Sequence, residues 1–474
     1  MVLTIARKEF TEMARDGRFR WMAGVVLLLL LTSLALGWKH YLQVKAEHDA
    51  AQAASRDTWV NQGRRNPHSA AHYGVYAFKP KMPLSLVDTG LDPYTGVSVW
   101  LEAHYQNPSR YRPAEDATAV RRFGELTAAT TLQLLVPLLI ILLAFSAFAG
   151  EREQGTLRQL LSLGAPRGKL VLGKVLGLTS ALALLLAPAT LAGVLALALA
   201  SEDGAMMLSL PRLALLCAGY LLYFGAFIGV SLACSALASS ARAALVALLA
   251  FWIVNGLLVP RLATDVAERL YRTPTAEEFW ESVHKDQQQG VDGHDAANRR
   301  TEELKRRTMA EYKVERLEDL PVNFNGVALQ AGEEYGNRVF DKHYGDVWKI
   351  YYQQERVHNL ASLIAPLMAV RGFSMGLAGT DLRQHRHFTD AAEAYRRSLN
   401  KLLNEDFAQN SRTSDDYNYF VDRAFWRKTP DFVYAAPDTA WVMKGQAFNL
   451  VALIAWFIVA FAAGVFAAKR MKVY

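Results

Sequence analysis

Apolar residues in this 474-residue chain gather into six runs, at about Trp21–Gly37, Thr127–Ala149, Leu170–Ala200, Leu213–Ala236, Ala243–Val259 and Phe448–Ala468. Each is long enough to cross a bilayer as a helix, which takes roughly 17–25 residues. Two long polar segments, residues 38–125 and 261–446, separate the first run from the second and the fifth from the sixth. The third and fourth runs are joined only by Ser201–Arg212. The pattern predicts an all-α integral membrane protein with six transmembrane helices. The two long segments are expected to fold together as one large, mainly helical, discontinuous extracytoplasmic domain. The first run starts too late and is too long for a cleaved signal peptide, so it is expected to remain as an anchor.

Within the long segments the periodicity is helical. Thr275-Ala-Glu-Glu278 has the capping-box spacing ahead of Phe279, Trp280 and Val283. Asn298–Leu317, Asp346–Met368 and Thr389–Leu403 continue the pattern, with turns at Gln289–Gly293, Leu320–Asn323 and Gly376–Gly379. No run alternates as a strand would. Asn359–Gly379 is apolar but broken by Pro366, Arg371 and Gly372. It reads either as a helix dipping into the membrane interface or as a core helix of the outer domain.

Charge then orients the chain. Hydrophobic residues make up 52% and charged residues only 20%, below the roughly 25% of soluble domains. Arg7, Lys8, Arg15, Arg18 and Arg20 precede the first run; Arg152, Arg158, Arg167 and Lys169 follow the second; Arg242 follows the fourth; Lys469, Arg470 and Lys472 follow the sixth. With six spans these places share one side, expected to be the cytoplasm. Residues 1–20, 150–169 and 469–474 then lie inside, and both termini are cytoplasmic. The net charge of +7 is mostly this topology signal, and no basic face marks a nucleic-acid site. Cys217 and Cys234 fall in one run, roughly 25 Å apart on a helix and beyond disulfide reach.

Two inner segments carry candidate chemistry. Ile5, Phe10, Met13 and Ala14 share a face, with Arg7, Lys8, Glu9, Arg15 and Asp16 on the rest, as in an interfacial helix. The segment Phe148–Arg167 places Leu157, Leu160 and Leu161 at i, i+3, i+4, with Glu151 and Glu153 before the helix start, Gly155 as a turn, and Gly164 and Pro166 as a stop. It reads as a stiff two-turn rod between two spans, or as a solvated loop.

The run Glu151-Arg-Glu-Gln-Gly-Thr-Leu-Arg-Gln-Leu-Leu-Ser162, followed by Pro166, Arg167 and Lys174, resembles the coupling-helix signature of ABC-2-type ABC transporter permeases. Arg7-Lys-Glu-Phe10 with Arg15, Asp16 and Arg18 resembles the connecting helix of that family. Pro321-Val-Asn-Phe-Asn-Gly326, Glu333-Glu-Tyr335 and Ser374–Asp381, followed by Phe388…Ala392-Glu393…Tyr395-Arg396, resemble a bacterial subgroup with a large outer insertion of unknown function.

The resemblance implies a permease in the bacterial inner membrane that pairs with a second copy, identical or not, and with two cytoplasmic ABC ATPases carrying ATP and Mg. Glu151, Arg152, Glu153, Gly155, Thr156, Leu157, Leu160, Leu161 and Arg167 would couple to the ATPase. Lys8, Glu9, Phe10, Arg15 and Arg18 would form the connecting helix. Asn323, Gly326, Glu334, Tyr335, Gly379, Thr380 and Asp381 would form the outer motif. The short re-entrant hairpin usual between the last two spans is not evident in the sequence.

Other chemistry finds little support, and no cofactor is expected on this chain. Gly164-Ala-Pro-Arg-Gly-Lys-Leu170 has the wrong spacing for a phosphate loop. No Gly-x-Ser-x-Gly or His-Glu-x-x-His motif supports an anchored enzyme. His68 with His72, and His385 with His387, read as surface pairs and not as metal sites. Lys174 reads as a snorkelling residue near a span end. Asp381 reads as a helix cap. Gly225 and Gly229 permit close helix approach, and Pro137 and Pro188 are candidate flex points. Two functions stand: a substrate-moving permease, or a mechanotransmission subunit whose outer domain works on an envelope partner. The second predicts long rigid helices rising from closed spans.

Overall fold

The computed structural model describes residues 1–115, 126–200, 205–291 and 297–471. The side chain of Arg18 lies outside the described residues, as do Glu125, Ser201, Asp292, Gly293 and Lys472, on which parts of the sequence reading fall. Six helices are long and apolar enough to cross a membrane: Phe19–Val60, Ala128–Glu153, Arg167–Ala200, Ser209–Leu237, Ala241–Leu270 and Thr439–Arg470. They run beyond the apolar windows, because a helix ends at a cap or breaker and not where hydropathy falls. The sixth starts at Asp438, whose carboxylate accepts the Trp441 N–H at 2.7 Å. The first belongs to a 44-residue helix, Gly17–Val60, in which no proline interrupts an Ala-, Gln- and Lys-rich continuation.

The second and fifth spans each contain a π turn, Thr131–Leu135 and Val254–Leu258. Such a turn upsets the regular backbone ladder, and here side chains meet its carbonyls. The Tyr223 hydroxyl donates to the Gln133 carbonyl at 2.8 Å, and the Trp252 indole donates to the Leu134 carbonyl at 3.0 Å. Gln133 continues a buried polar chain through Tyr220 and Ser374 to Asp88. Gly225 and Gly229 face the sixth span, where a Cβ on Gly229 would lie 2.6 Å from the Ala460 carbonyl carbon.

Between the fifth and sixth spans the chain forms a re-entrant hairpin that the sequence did not reveal. The helix Phe324–Ala361 descends, turns, and returns as Pro366–Ala378. Its turn reaches halfway along the spans: the Ser362 carbonyl accepts from the Trp456 indole at 2.9 Å, and the Leu367 N–H donates to Asn255 Oδ1 at 3.0 Å. Pro366, Arg371 and Gly372 make the stretch look too broken to span a membrane. Asn255 and Trp456, remote in sequence, satisfy the backbone groups that the break exposes. Pro366–Ala378 is thus a buried helix, as one of the two readings held, but it packs against the fourth and sixth spans.

Beyond the spans lie the helices Ala276–Gln289, Ala297–Tyr312, the upper part of Phe324–Ala361, and Leu382–Asn410. The Thr275–Glu278 capping box forms. Among the described residues the sheet is one antiparallel pair, Val75–Phe78 with Ser98–Leu101, too short for its alternation to be visible. The two long segments interdigitate here. Trp59 packs edge-on to Trp426 at 5.5 Å and donates to Thr429 at 2.7 Å, while Val99 and Phe388 share a core.

Candidate functional site: a charged hub at the terminal end

The N-terminal helix, the end of the sixth span and the loops that follow the second and fourth spans meet at one end of the bundle. The N-terminal helix Val2–Arg15 packs on the start of the third span, where Gly173 and Gly177 leave room for it; a Cβ on Gly177 would lie 2.6 Å from the Glu9 Cβ. Ala6 is buried, Phe10 packs against the core, and Arg15 is exposed.

The segment after the second span is two short helices, Ala149–Glu153 and Thr156–Ser162, broken at Gly155. Gly155 takes φ +75°, the left-handed region that suits glycine. The second helix ends at Gly164, with φ +79°, whose N–H donates to the Leu161 carbonyl. Leu157 is buried, and Leu160 and Leu161 pack on the core. The short helix Thr156–Ser162 is present, but neither carboxylate serves its start: both lie within Ala149–Glu153, where Glu151 joins an ion cluster and Glu153 meets a different helix. Glu153 accepts the Ala241 N–H at 2.9 Å, at the N-terminus of the fifth span. A negative charge is favoured there by the unpaired N–H groups and the helix dipole.

Glu151, Arg152 and Arg167 each meet a helix end or an ion partner. Arg152 donates to the Ser235 and Ala236 carbonyls at 3.2 and 3.3 Å, at the end of the fourth span. Arg167 donates to the Ala468 and Lys469 carbonyls, at the end of the sixth. The Thr156 hydroxyl donates to the Glu151 carbonyl at 3.1 Å. Glu151 meets Lys174 at 3.1 Å and Lys8 at 3.0 Å, and Lys174 meets Glu9 at 2.7 Å.

Lys174 does not snorkel, contrary to the sequence reading. Its side chain is 1% exposed, because two carboxylates and the Phe148 ring, 5.3 Å from the ammonium, replace the water it would otherwise seek. Burial pulls the Lys8 ammonium down, but its hydrogen bond to Glu151 and the charges of Glu151, Glu9 and Glu12 outweigh that and hold it above the usual lysine range.

The residues left facing outward are different ones. Gln154, Arg158, Gln159 and Ser162 are exposed, and Leu163 is 83% exposed at the tip. Leu163 falls off the i, i+3, i+4 stripe, which is why the stripe missed it.

At the opposite end of the spans a cavity of about 840 Å³ is walled by Asp88, Gln133, Glu355, Arg371, Asp381 and Asn449. Burial pushes Asp88 up from the usual carboxylate range, against the Ser374 hydroxyl and the Gly90 N–H. Burial likewise raises Asp381, against the Gln384 N–H and Gln446.

The outer motif residues build this end. Asp381 caps Leu382–Asn410, Gly379 takes φ +81°, and Thr380 donates to the Asp88 carbonyl. Asn323 caps Phe324–Ala361 and donates to the carbonyls of Arg412 and Asp416. Gly326 abuts Ala408, and the Tyr335 hydroxyl accepts from Val291. Glu334 is exposed and accepts from Gln330, while its neighbour Glu333 is buried against Arg396 and His104. Nor is His68 a surface residue: it is 6% exposed.

Residues 104–261 match the family model described as ABC-2 family transporter protein, and residues 276–435 match a domain of unknown function, DUF3526. No curated protein matches the chain. The second match begins beyond the fifth span and ends before the sixth, so it covers the far-end helices and the hairpin.

Proposed function

We propose that this chain, an ABC-2 family permease with an added DUF3526 domain, is the membrane subunit through which separate ABC ATPases drive substrate across the bacterial inner membrane. In this reading the hub end is cytoplasmic, and two ATPases, carrying ATP and Mg, dock on it. A second permease copy completes the pore. The observation that carries the reading is the hub itself. One short segment, 149–167, holds the ends of the fourth, fifth and sixth spans, and through Lys174 it also holds the third span and the N-terminal helix. A push on its exposed tip at Leu163 would reach all of them together. The cavity at the far end of the spans, mostly apolar but bearing Asp88, Glu355 and Arg371, supports a cargo that passes or waits there.

The test is to purify the chain from native membranes with its bound ATPase and to compare Leu163→Asp with the wild type. Leu163 supports no core, so the variant should fold and insert normally yet lose ATPase co-purification and coupled hydrolysis. Retention of both would overturn the docking site. A second reading is favoured by the 44-residue first helix, which carries the hub end directly to the outer Trp59–Trp426 contact. In it, ATP-driven motion works the DUF3526 domain on an envelope partner and nothing crosses the bilayer. Vesicle uptake or export driven by ATP would decide for transport. ATP-dependent changes in outer-domain crosslinks without flux would decide for mechanotransmission.

A further inference from the structure

His68 and His72 lie one turn apart on the short helix Pro67–Tyr73, and His104 follows the second strand in a loop where its φ is 68°. One ring nitrogen from each residue lies within 4.8 Å of the others. The Nε2 atoms of His68 and His72 are 3.1 Å apart. Two imidazoles on a tetrahedral zinc, with Zn–N of about 2.0–2.1 Å, hold their nitrogens about 3.3 Å apart.

The outer partners of two of these rings fix which nitrogen is free. His104 Nδ1 lies 2.7 Å from Glu333 Oε1; a carboxylate only accepts, so Nδ1 carries the proton and Nε2 the lone pair. His68 Nδ1 lies 3.2 Å from Asn404 Oδ1. The amide nitrogen of Asn404 donates to Gln330 Oε1, so its oxygen is the atom turned to the ring, and His68 Nε2 is left as an acceptor. One nitrogen of each ring thus converges on the others, that of His68 an acceptor, while an amide and a buried carboxylate hold the rings of His68 and His104. Orientation of imidazole ligands by such outer acceptors is a recurring property of metal centres.

We propose that His68, His72 and His104 form a binding site for a divalent late first-row metal ion, zinc fitting best, with Asn404 and Glu333 orienting two of the ligands. Three neutral nitrogen ligands suit a borderline ion over calcium or magnesium, which prefer oxygen. His72 is exposed, so a fourth position is open to water. The site draws its ligands from the first long segment and its supports from Phe324–Ala361 and Leu382–Asn410 in the DUF3526 match. A bound ion would therefore clasp the two segments of the outer domain together.

The test uses the full-length chain in detergent, stripped with chelator and titrated with Zn²⁺ alone, with bound metal counted after equilibrium dialysis. One Zn²⁺ per chain is expected, with a raised thermal midpoint. His72→Asn removes an exposed ligand with little risk to folding and should weaken binding at least 100-fold and abolish the thermal shift. His104→Asn should do the same, while His387→Asn should change neither. Tetrahedral d–d absorption on loading with Co²⁺ should vanish in His72→Asn. Failure to bind stoichiometric Zn²⁺, or binding undiminished in His72→Asn and His104→Asn, would overturn the site.

Discussion

Lys174 and Arg396 each have a side chain only 1% exposed, and the two cations are held in opposite ways. Lys174, in the third span, is met by Glu9 of the N-terminal helix and by Glu151 of the segment after the second span. Arg396 is met by Glu393 one turn away on its own helix at 2.8 Å, by Glu333 at 3.2 Å and by the Asn337 side chain. The partners of Lys174 come from separate pieces at the membrane edge, with little other polar support. Those of Arg396 come from two long helices already packed together. An ion pair of the first kind links parts that can move; one of the second kind fixes a core.

Breaking the fixed pair should have the largest effect on stability. Arg396→Met leaves Glu333 only His104 and Glu393 only Arg397 as a charged partner in a buried place, and the far-end domain should lose about 3–5 kcal/mol. Thermal unfolding of the purified protein, followed by tryptophan fluorescence, should show the loss. Lys174→Met should cost less, about 1–3 kcal/mol, because Glu9 and Glu151 keep some contact with water. Its signature should be coupling. In a double-mutant cycle with Glu9→Gln, stability and coupled ATP hydrolysis should both be non-additive, with an interaction of about 0.5–3 kcal/mol in stability. Additive behaviour would erase the distinction between the two cations.

Acid should act on the far-end domain next. His385 is buried, and its Nδ1 has no hydrogen-bond partner among the described residues. Burial pulls it down to about 3, Lys79 and Arg112 act the same way, and Asp92 opposes them. Unfolded, its pKa is about 6.5. Between those values the unfolded chain holds the extra proton, so the stability from neutral His385 is complete above about pH 6.5 and drains away as pH falls. The thermal midpoint should drop from pH 7 to pH 4, and His385→Leu should flatten that drop. Leu163→Asp should have the smallest effect on stability, within about 0.5 kcal/mol, whatever it does to partner binding.

The spans were legible because each is a local apolar run, and the capping box at Thr275 and the cap at Asp381 because their partners sit three residues away. The hub was legible only as composition. Glu151, Arg152 and Glu153 stood out as charges, but their partners lie far along the chain, at Lys8, Ser235 and Ala241, and spacing cannot reach them. Lys174 looked like a residue reaching for water because Glu9 is 165 residues distant. His104 was missed as a third imidazole because it sits on a loop, outside any helical spacing from His72. The hairpin stayed hidden for a related reason: a broken apolar stretch can enter the bundle only if remote side chains such as Asn255 accept its loose N–H groups, and that complement is written elsewhere in the chain.

The first span's helix, at about 1.5 Å per residue, is about 66 Å long. Near its midpoint Gly37 lies flush against the Leu86 backbone carbonyl, which any side chain would displace. That contact is a natural fulcrum. A rock of only about 5° about it would carry each tip about 3 Å, in opposite senses, so that a nudge at the hub end of the seesaw arrives at the far end at full size and with its direction reversed.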